Sequence, residues 1–485
     1  MYPLEGQSAV TGRRFRSPAV PPRWGVLIVL VLASVVGLVL NPWVVKPYWM
    51  SDPVGDGILI ALGLAGIAWC SGVCLARLRG ACDCSSADVP AADLSTLSPR
   101  RHWPIVAVWS VILVLWLAMF RERWSRPEIK YDDYHYITIG ATWSSTTRNL
   151  FNPFNEHFCV PTRLLTWGLC ATVEPSRLPG ALAVAGMLLF ASAFVPLFVF
   201  VRRECNSPAM GLLAVSIYAL TPVHQEVVMW YSASQWCWAL VLLLVALLMV
   251  PAGVVRMTAW RLGGVVLLAA IAPFTYAVGL LVGPVTSLYL IVRRCVGQLA
   301  ARPACCVLPA LATVVVVLTL ACWKGPDIAR RAKYGGRRPA DAIAPLSGVL
   351  YGMRSTVDTL VLRNLGFRPV SRLPRVCYAV VFLIVIFGLG ELIRRAVRPG
   401  LLILGWTLVL LPYAMMLPFR VWVQYEDFTL WSRYQLFPQL GVALIVCGAV
   451  AEFGPRWLRG PVLSARQITI VLSLAIVQFL VHQVA

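Results

Sequence analysis

The chain has 485 residues, of which 59% are hydrophobic and 13% charged, with 42 Lys and Arg against 21 Asp and Glu. An average soluble domain carries about 25% charged residues, so water is not the main solvent and a soluble domain is excluded. No nucleic-acid partner is expected, and the net charge of +21 reads first as contact with membrane lipids.

Apolar stretches near the ~20 residues that a helix needs to cross a ~30 Å hydrocarbon core recur along the chain. They predict an all-α integral membrane protein of about thirteen spans, near residues 24–41, 57–76, 103–120, 178–201, 208–222, 235–254, 262–277, 279–292, 303–323, 375–393, 400–417, 434–452 and 468–485. Asn41-Pro42-Trp43 follows the first run where a cleavage site would need small residues, so that run reads as a retained anchor. The seventh and eighth spans share one apolar stretch broken at Pro273 and Gly283-Pro284, which fits a hairpin of half-helices or one bent helix.

Cys82 to Arg101, rich in Ser, Asp, Ala and Pro, reads as a cytoplasmic linker. It separates residues 1–101, a tail with two extra helices, from a transmembrane core of 102–485 with outer loops at 121–177 and 324–375. Most of the 14 cysteines, such as Cys70, Cys74, Cys237 and Cys447, fall in apolar spans and read as buried packing thiols. Cys82 and Cys84 have no second Cys/His pair near them and do not make a four-ligand zinc site.

Arg13, Arg14, Arg16 and Arg23 place the N-terminus in the cytoplasm by the positive-inside rule. Alternation of spans then makes every short inside connection basic: Arg77 and Arg79, Arg202 and Arg203, Arg256 and Arg261, Arg293 and Arg294, Arg394 and Arg395, Arg456 and Arg459. The C-terminus falls outside. Apart from Glu5, Asp83, Asp88, Asp93, Glu204, Glu391 and Glu452, the acidic residues, 14 of 21, fall outside too. A site is therefore expected on the outer face of the cytoplasmic membrane.

The first outer loop, with "KYDDYHYITIGATWSSTTRNLFNPFNEHFCVPTRLL", is the densest polar segment. Asp132 and Asp133 head a segment whose Tyr134, Ile137, Ile139 and Trp143 suit a helix lying along the interface. The helix dipole there favours an ionised carboxylate by about 0.3–1 kcal/mol, repulsion between the pair raises one pKa, and a plain N-cap needs no chemistry at all. Glu156 and His157, followed by Arg163, add a carboxylate, an imidazole and a guanidinium; the aromatics around them suit the headgroup level.

Beyond the fifth span, "TPVHQEVVMWYSASQW" brings His224, Glu226, Trp230 and Tyr231 to the same membrane level. Aromatic faces stack on pyranose rings, and carboxylates and amides bind hydroxyls; an aromatic belt is the bland alternative. The second long loop carries Lys324, Arg330, Arg331, Lys333, Arg337 and Arg338 around Tyr334-Gly335-Gly336, a composition for phosphate or for anionic lipid. Ahead of the twelfth span, "VWVQYEDFTLWSRYQLFP" holds Glu426, Asp427, Arg433 and Tyr434. A cation at a helix start wants an anionic partner.

"YDDY" after an early span and "NEHF.VP.RLL" about twenty residues on resemble the first outer loop of bacterial membrane glycosyltransferases of the GT-C superfold. The likeness extends to protein O-mannosyltransferases and, through the Arg433-Tyr434 pair and the following Pro438, to aminoarabinose transferases. It implies transfer of a sugar from a polyprenyl-phosphate donor to a lipid, glycan or protein acceptor. Asp132 or Asp133, with Asp133 preferred, would be the base, and Arg433, Tyr434 and the basic loop would hold the donor phosphate. Two spans precede the loop that follows the first helix in that superfold. No cofactor is required by the sequence; a divalent metal among Asp132, Asp133, His135, Glu156 and His157 is left unassigned. A lipid-linked-glycan transporter, or a non-catalytic protein of the same fold, is the alternative, although the spans hold few of the mid-membrane ionisable residues that transport calls for.

Overall fold

The computed structural model describes residues 64–73, 76, 103–130, 132–154, 157–252, 255–334, 353–357, 364, 375–397, 399–420, 432–459 and 462–484. The first predicted span, the N-terminal arginines, the Cys82 to Arg101 linker, Glu156, Arg337, Arg338, Glu426 and Asp427 lie outside the described residues.

Nearly all of the described chain is helical, as lipid demands of a backbone that finds no water. In order, the helices are α1 (Leu64–Val73), α2 (Trp103–Met119), α3 (Arg121–Ser125), α4 (Asp132–Gly140), α5 (Trp143–Asn149), α6 (Val160–Thr172), α7 (Leu178–Ala191), α8 (Phe194–Cys205) and α9 (Pro208–Ala219). There follow α10 (Gln225–Met229), α11 (Trp236–Met249), α12 (Ala259–Ile271), α13 (Val282–Cys295), α14 (Pro303–Tyr334), α15 (Arg375–Arg395), α16 (Gly400–Arg420), α17 (Leu436–Phe453) and α18 (Ala465–Val484). Five helical stretches are long and apolar enough to cross a membrane: Leu178–Cys205, Ser232–Met249, Ala277–Cys295, Pro303–Gly325 and Leu436–Phe453. A sixth results if Pro208–Ala219 and Pro222–Met229, bent by 48°, count as one span. The protein is an all-α, multi-pass membrane protein.

Contacts between connections sort them into two sets. In one, β1 (Val255–Arg256) pairs in parallel with β2 (Leu299–Ala300), Ser207 Oγ donates to the Leu458 carbonyl (3.0 Å), and the Val397 N–H donates to Glu452 (3.0 Å). These are the connections predicted to face inward. In the other set, Tyr136 reaches Gln235, Lys324 reaches Asn152, and Asn364 exchanges amide hydrogen bonds with Gln439. These lie in, or at the ends of, the connections predicted to face outward, so the packing keeps the two sets apart.

The strand pair also decides between a hairpin and a bent helix for the seventh and eighth spans. β1 precedes α12 and β2 follows α13, so both outer ends of the pair start from one face and the chain reverses between them. At the reversal a Cβ on Gly279 would lie 1.9 Å from the Ala272 carbonyl oxygen, a place only glycine can occupy. The ninth span, Pro303–Gly325, ends close to the predicted place, but the helix that contains it continues to Tyr334, 32 residues and about 48 Å long. Lys324, Arg330, Arg331 and Lys333 thus belong to a helical extension beyond the ~30 Å core, not to a loop.

Two cores hold the bundle. The larger joins α2, α7 to α11, α13, α16, α17 and α18; the smaller joins α1, the helical segment 353–357, α15 and the other face of α16. α1 docks on α15, where the Trp69 ring fills the notch left by Gly390 and packs 4.8 Å from the Phe387 ring. α16 and α17 approach at paired glycines, each of whose missing Cβ would meet the other's carbonyl: Gly405 at 2.7 Å, Gly441 at 2.5 Å. Close backbone approach at small residues is how membrane helices gain packing that lipid cannot supply. Of the expected packing thiols, Cys70, Cys237 and Cys447 are buried, whereas Cys322 is exposed and Cys74 lies outside the described residues.

Candidate functional site

Asp132 and Asp133 open α4 in its first turn, as the sequence predicts. Within α4, Tyr134 is 60% exposed while Asp133, Tyr136, Ile139 and Gly140 turn inward; Trp143, 52% exposed, opens α5. The reason is tertiary: the Ser232 N–H donates to Asp133 Oδ1 (2.8 Å) and the Lys130 N–H to Oδ2 (3.1 Å). One carboxylate thereby closes the start of its own helix, in the manner of a capping box, and ties it to the turn before α11.

Asp133 is only 1% exposed, and burial pushes its carboxyl above the ordinary value, opposed by the two N–H groups and by the Arg123 guanidinium. Arg123 is buried as well, which lowers its own pKa, and one of its N–H groups donates to the Glu128 carbonyl (3.0 Å). Asp132 is half-buried and near enough to Cys159 to help raise its thiol, which burial pushes up to about 11. With both Asp133 oxygens engaged by backbone, Asp132 is the carboxylate of the pair left with solvent access.

Around this pair, segments far apart in sequence converge. The Tyr136 hydroxyl donates to Gln235 Oε1 (2.9 Å), and the Tyr231 hydroxyl bonds Thr166 Oγ1 (2.9 Å). From the first outer loop, the His157 ring lies 4.0 Å from Tyr276, Tyr276 lies 4.9 Å from Trp236, and Trp236 lies 5.4 Å from Tyr434. The Tyr413 hydroxyl donates to Gln435, the residue after Tyr434. His135 stacks on Phe154 at 4.2 Å, which in turn packs against Tyr136 at 5.6 Å. A continuous row of rings therefore runs from the first outer loop to the segment that starts α17.

Other predicted residues have varied places. Arg163 is buried and donates to the carbonyls of Asn149, Leu150 and Asn152, so it closes the end of α5 and does not face solvent. His224 is fully buried between the Phe190 and Tyr218 rings, 5.1 and 4.6 Å away. Glu226 and Trp230 are half-buried on either side of α10's apolar face. Lys324 packs 4.7 Å over Trp323 and reaches Asn152 (3.4 Å), joining the start of the helical extension to the first loop. Arg330, Arg331 and Lys333 are placed by backbone alone, and Arg433 lies on the turn Ser432–Gln435.

Tyr136, Trp236, Tyr276, Tyr413 and Gln435 were not singled out in the sequence, whereas Gln235 stands in the cluster that holds His224, Glu226, Trp230 and Tyr231. The available signal for Trp236, Tyr276, Tyr413 and Gln435 was their position at the end of an apolar run or at the break between the seventh and eighth spans. On the opposite side of the bundle, Glu204 gathers Arg203 and Arg293. That cluster escaped notice because its three members stand in two short loops, each of which reads as ordinary positive-inside charge.

Fold and site together define a multi-pass helical membrane protein with a buried polar-aromatic cluster at one end of its bundle. No family model, no curated protein and no solved structure matches this chain. Among the described residues no three of His, Cys, Asp and Glu stand close enough together to hold a metal ion.

Proposed function

We propose that this protein is a membrane glycosyltransferase with a GT-C-like arrangement of about thirteen spans. It would transfer a sugar from a polyprenyl-phosphate donor to an acceptor at the outer face of the cytoplasmic membrane. The observation that carries the reading is the convergence of α4, the 231–236 turn, Tyr276 and Tyr434 on one cluster beside a carboxylate pair.

In this reading Asp132 deprotonates or orients the acceptor hydroxyl, because it has the solvent access that Asp133 lacks. Asp133 positions it by fixing the start of α4. The row of rings supplies the apolar faces on which a pyranose stacks, and Gln235 and Gln435 supply amides for its hydroxyls. Arg433, with the basic helical extension, stabilises the negative charge that develops on the departing phosphate. Glu226, Trp230 and Tyr231 border the same region.

The test is transfer of radiolabelled sugar from synthetic polyprenyl-phosphate hexose or pentose donors by the purified protein in lipid nanodiscs, with envelope lipid extract as acceptor. Asp132→Asn is expected to lose at least ~100-fold in rate, the low end of what a positioned general base supplies. Undiminished transfer by that variant would overturn the assignment of the base; no transfer by wild type with any donor would overturn the reading itself.

A further inference from the structure

The face opposite the candidate site carries a buried charge hub. Glu204, on the last turn of α8, accepts both oxygens' worth of contact from Arg293 Nη1 (2.8 and 3.0 Å) and further hydrogen bonds from Arg203 (3.1 Å). Arg203 also donates to the carbonyls of Leu247, Leu248 and Val250, closing the end of α11. Arg293 donates to the Tyr289 hydroxyl one turn earlier in α13 (3.2 Å). Glu204 thus joins α8 to α13 and holds the Arg203 side chain that closes α11, with both arginines and Glu204 largely removed from solvent.

Such a hub is not explained by stability. A carboxylate on the last turn of a helix opposes the helix dipole, and a buried ion pair often contributes less than an apolar packing of the same volume. What it does supply is a unique arrangement, since displacement of any one helix leaves a buried charge without its partner. The three helices are also those that lead to the candidate site. α11 begins at Trp236; α13 follows the turn that holds Tyr276; α8 continues α7, whose Leu178 and Leu182 pack with Tyr231.

We propose that Glu204 is a remote positioning residue: by pinning the inner ends of α8, α11 and α13, it sets the spacing of the Tyr231, Trp236 and Tyr276 segments at their outer ends. It rests on the reading above only in treating those segments as the site. Glu204 itself never meets substrate.

The experiment is hydrogen exchange followed by mass spectrometry on the full-length protein in nanodiscs, without substrate, comparing wild type, Glu204→Gln, Glu204→Asp and Tyr289→Phe. Glu204→Gln is expected to speed exchange by on the order of tenfold in the last turn of α11 and also in peptides covering 231–236 and 274–281. Glu204→Asp, which keeps the charge, serves if the glutamine variant fails to fold, and is expected to shift the same peptides by less. Tyr289→Phe keeps the ion pairs and is expected to exchange as wild type. Faster exchange confined to the inner ends, or no change in any peptide, overturns the proposal. Because no substrate enters this measurement, its failure and the failure of the transferase assay are read separately.

Discussion

Replacing Asp133 by Asn changes little in shape and much in partnership. The carboxylate accepts from two backbone N–H groups, at 2.8 and 3.1 Å, and lies beside the buried Arg123. An asparagine keeps one acceptor oxygen but presents an NH2 to the other N–H, which stays buried without an acceptor at a cost of about 1–3 kcal/mol. Arg123 loses a nearby negative charge as well. We expect Asp133→Asn to lose about 1–3 kcal/mol, a sizeable part of the ~5–15 kcal/mol that holds a typical protein folded. Thermal unfolding in detergent or nanodiscs reads the loss as a lower midpoint. The same melts carry a pH signature. Burial raises Asp133 above its ordinary value in the folded state, so the folded protein takes up this proton first. The contribution of Asp133 to stability therefore falls as pH rises through the folded pKa, recovers on acidification toward 3.8, and is absent in the asparagine variant. A variant that melts within ~1 °C of wild type at neutral pH would refute the assignment of Asp133 as the tie between α4 and the 231–236 turn.

Gly279→Ala should prevent the α12–α13 hairpin from closing, since its Cβ would stand 1.9 Å from the Ala272 oxygen; size-exclusion profiles of the fluorescently tagged protein should show loss of the folded peak. Cys159 is buried, with its thiol pushed up to about 11, and should resist maleimide at neutral pH until the protein is unfolded. Peptide mapping against the exposed Cys322 supplies the comparison.

Much of the frame is legible in the sequence because lipid permits few solutions. Runs of apolar residues must be helices, and arginines at alternate connections sort their ends into two faces. Asp132 and Asp133 are legible as a helix start, since local chemistry favours acids there. Which of them is buried is not, because the choice is made by the Ser232 N–H, 99 residues away. Exposed aromatics at a membrane surface carry the same residue types as buried ones, so composition cannot separate them. The extension of α14 past 323 is hidden for a related reason, because a basic helix beyond the bilayer and a basic loop have the same charge. Glu204 is hidden because an ion pair between two connections cannot be read from either one.

The parallel pairing of Val255–Arg256 with Leu299–Ala300 has a consequence for how the chain is made. Everything between the two strands is a there-and-back crossing, so α12 and α13 can enter the bilayer as a pair and be clasped by backbone hydrogen bonds as soon as residue 300 has emerged. The closure joins residue 255 to residue 299, and its entropic cost grows only slowly with length. α14, next to be synthesised, then meets a finished two-helix surface that includes Thr313's partner, the Ala269 carbonyl (3.1 Å). Insertion order and final neighbour order coincide in this part of the bundle, which spares the nascent chain a search through the membrane for a distant partner.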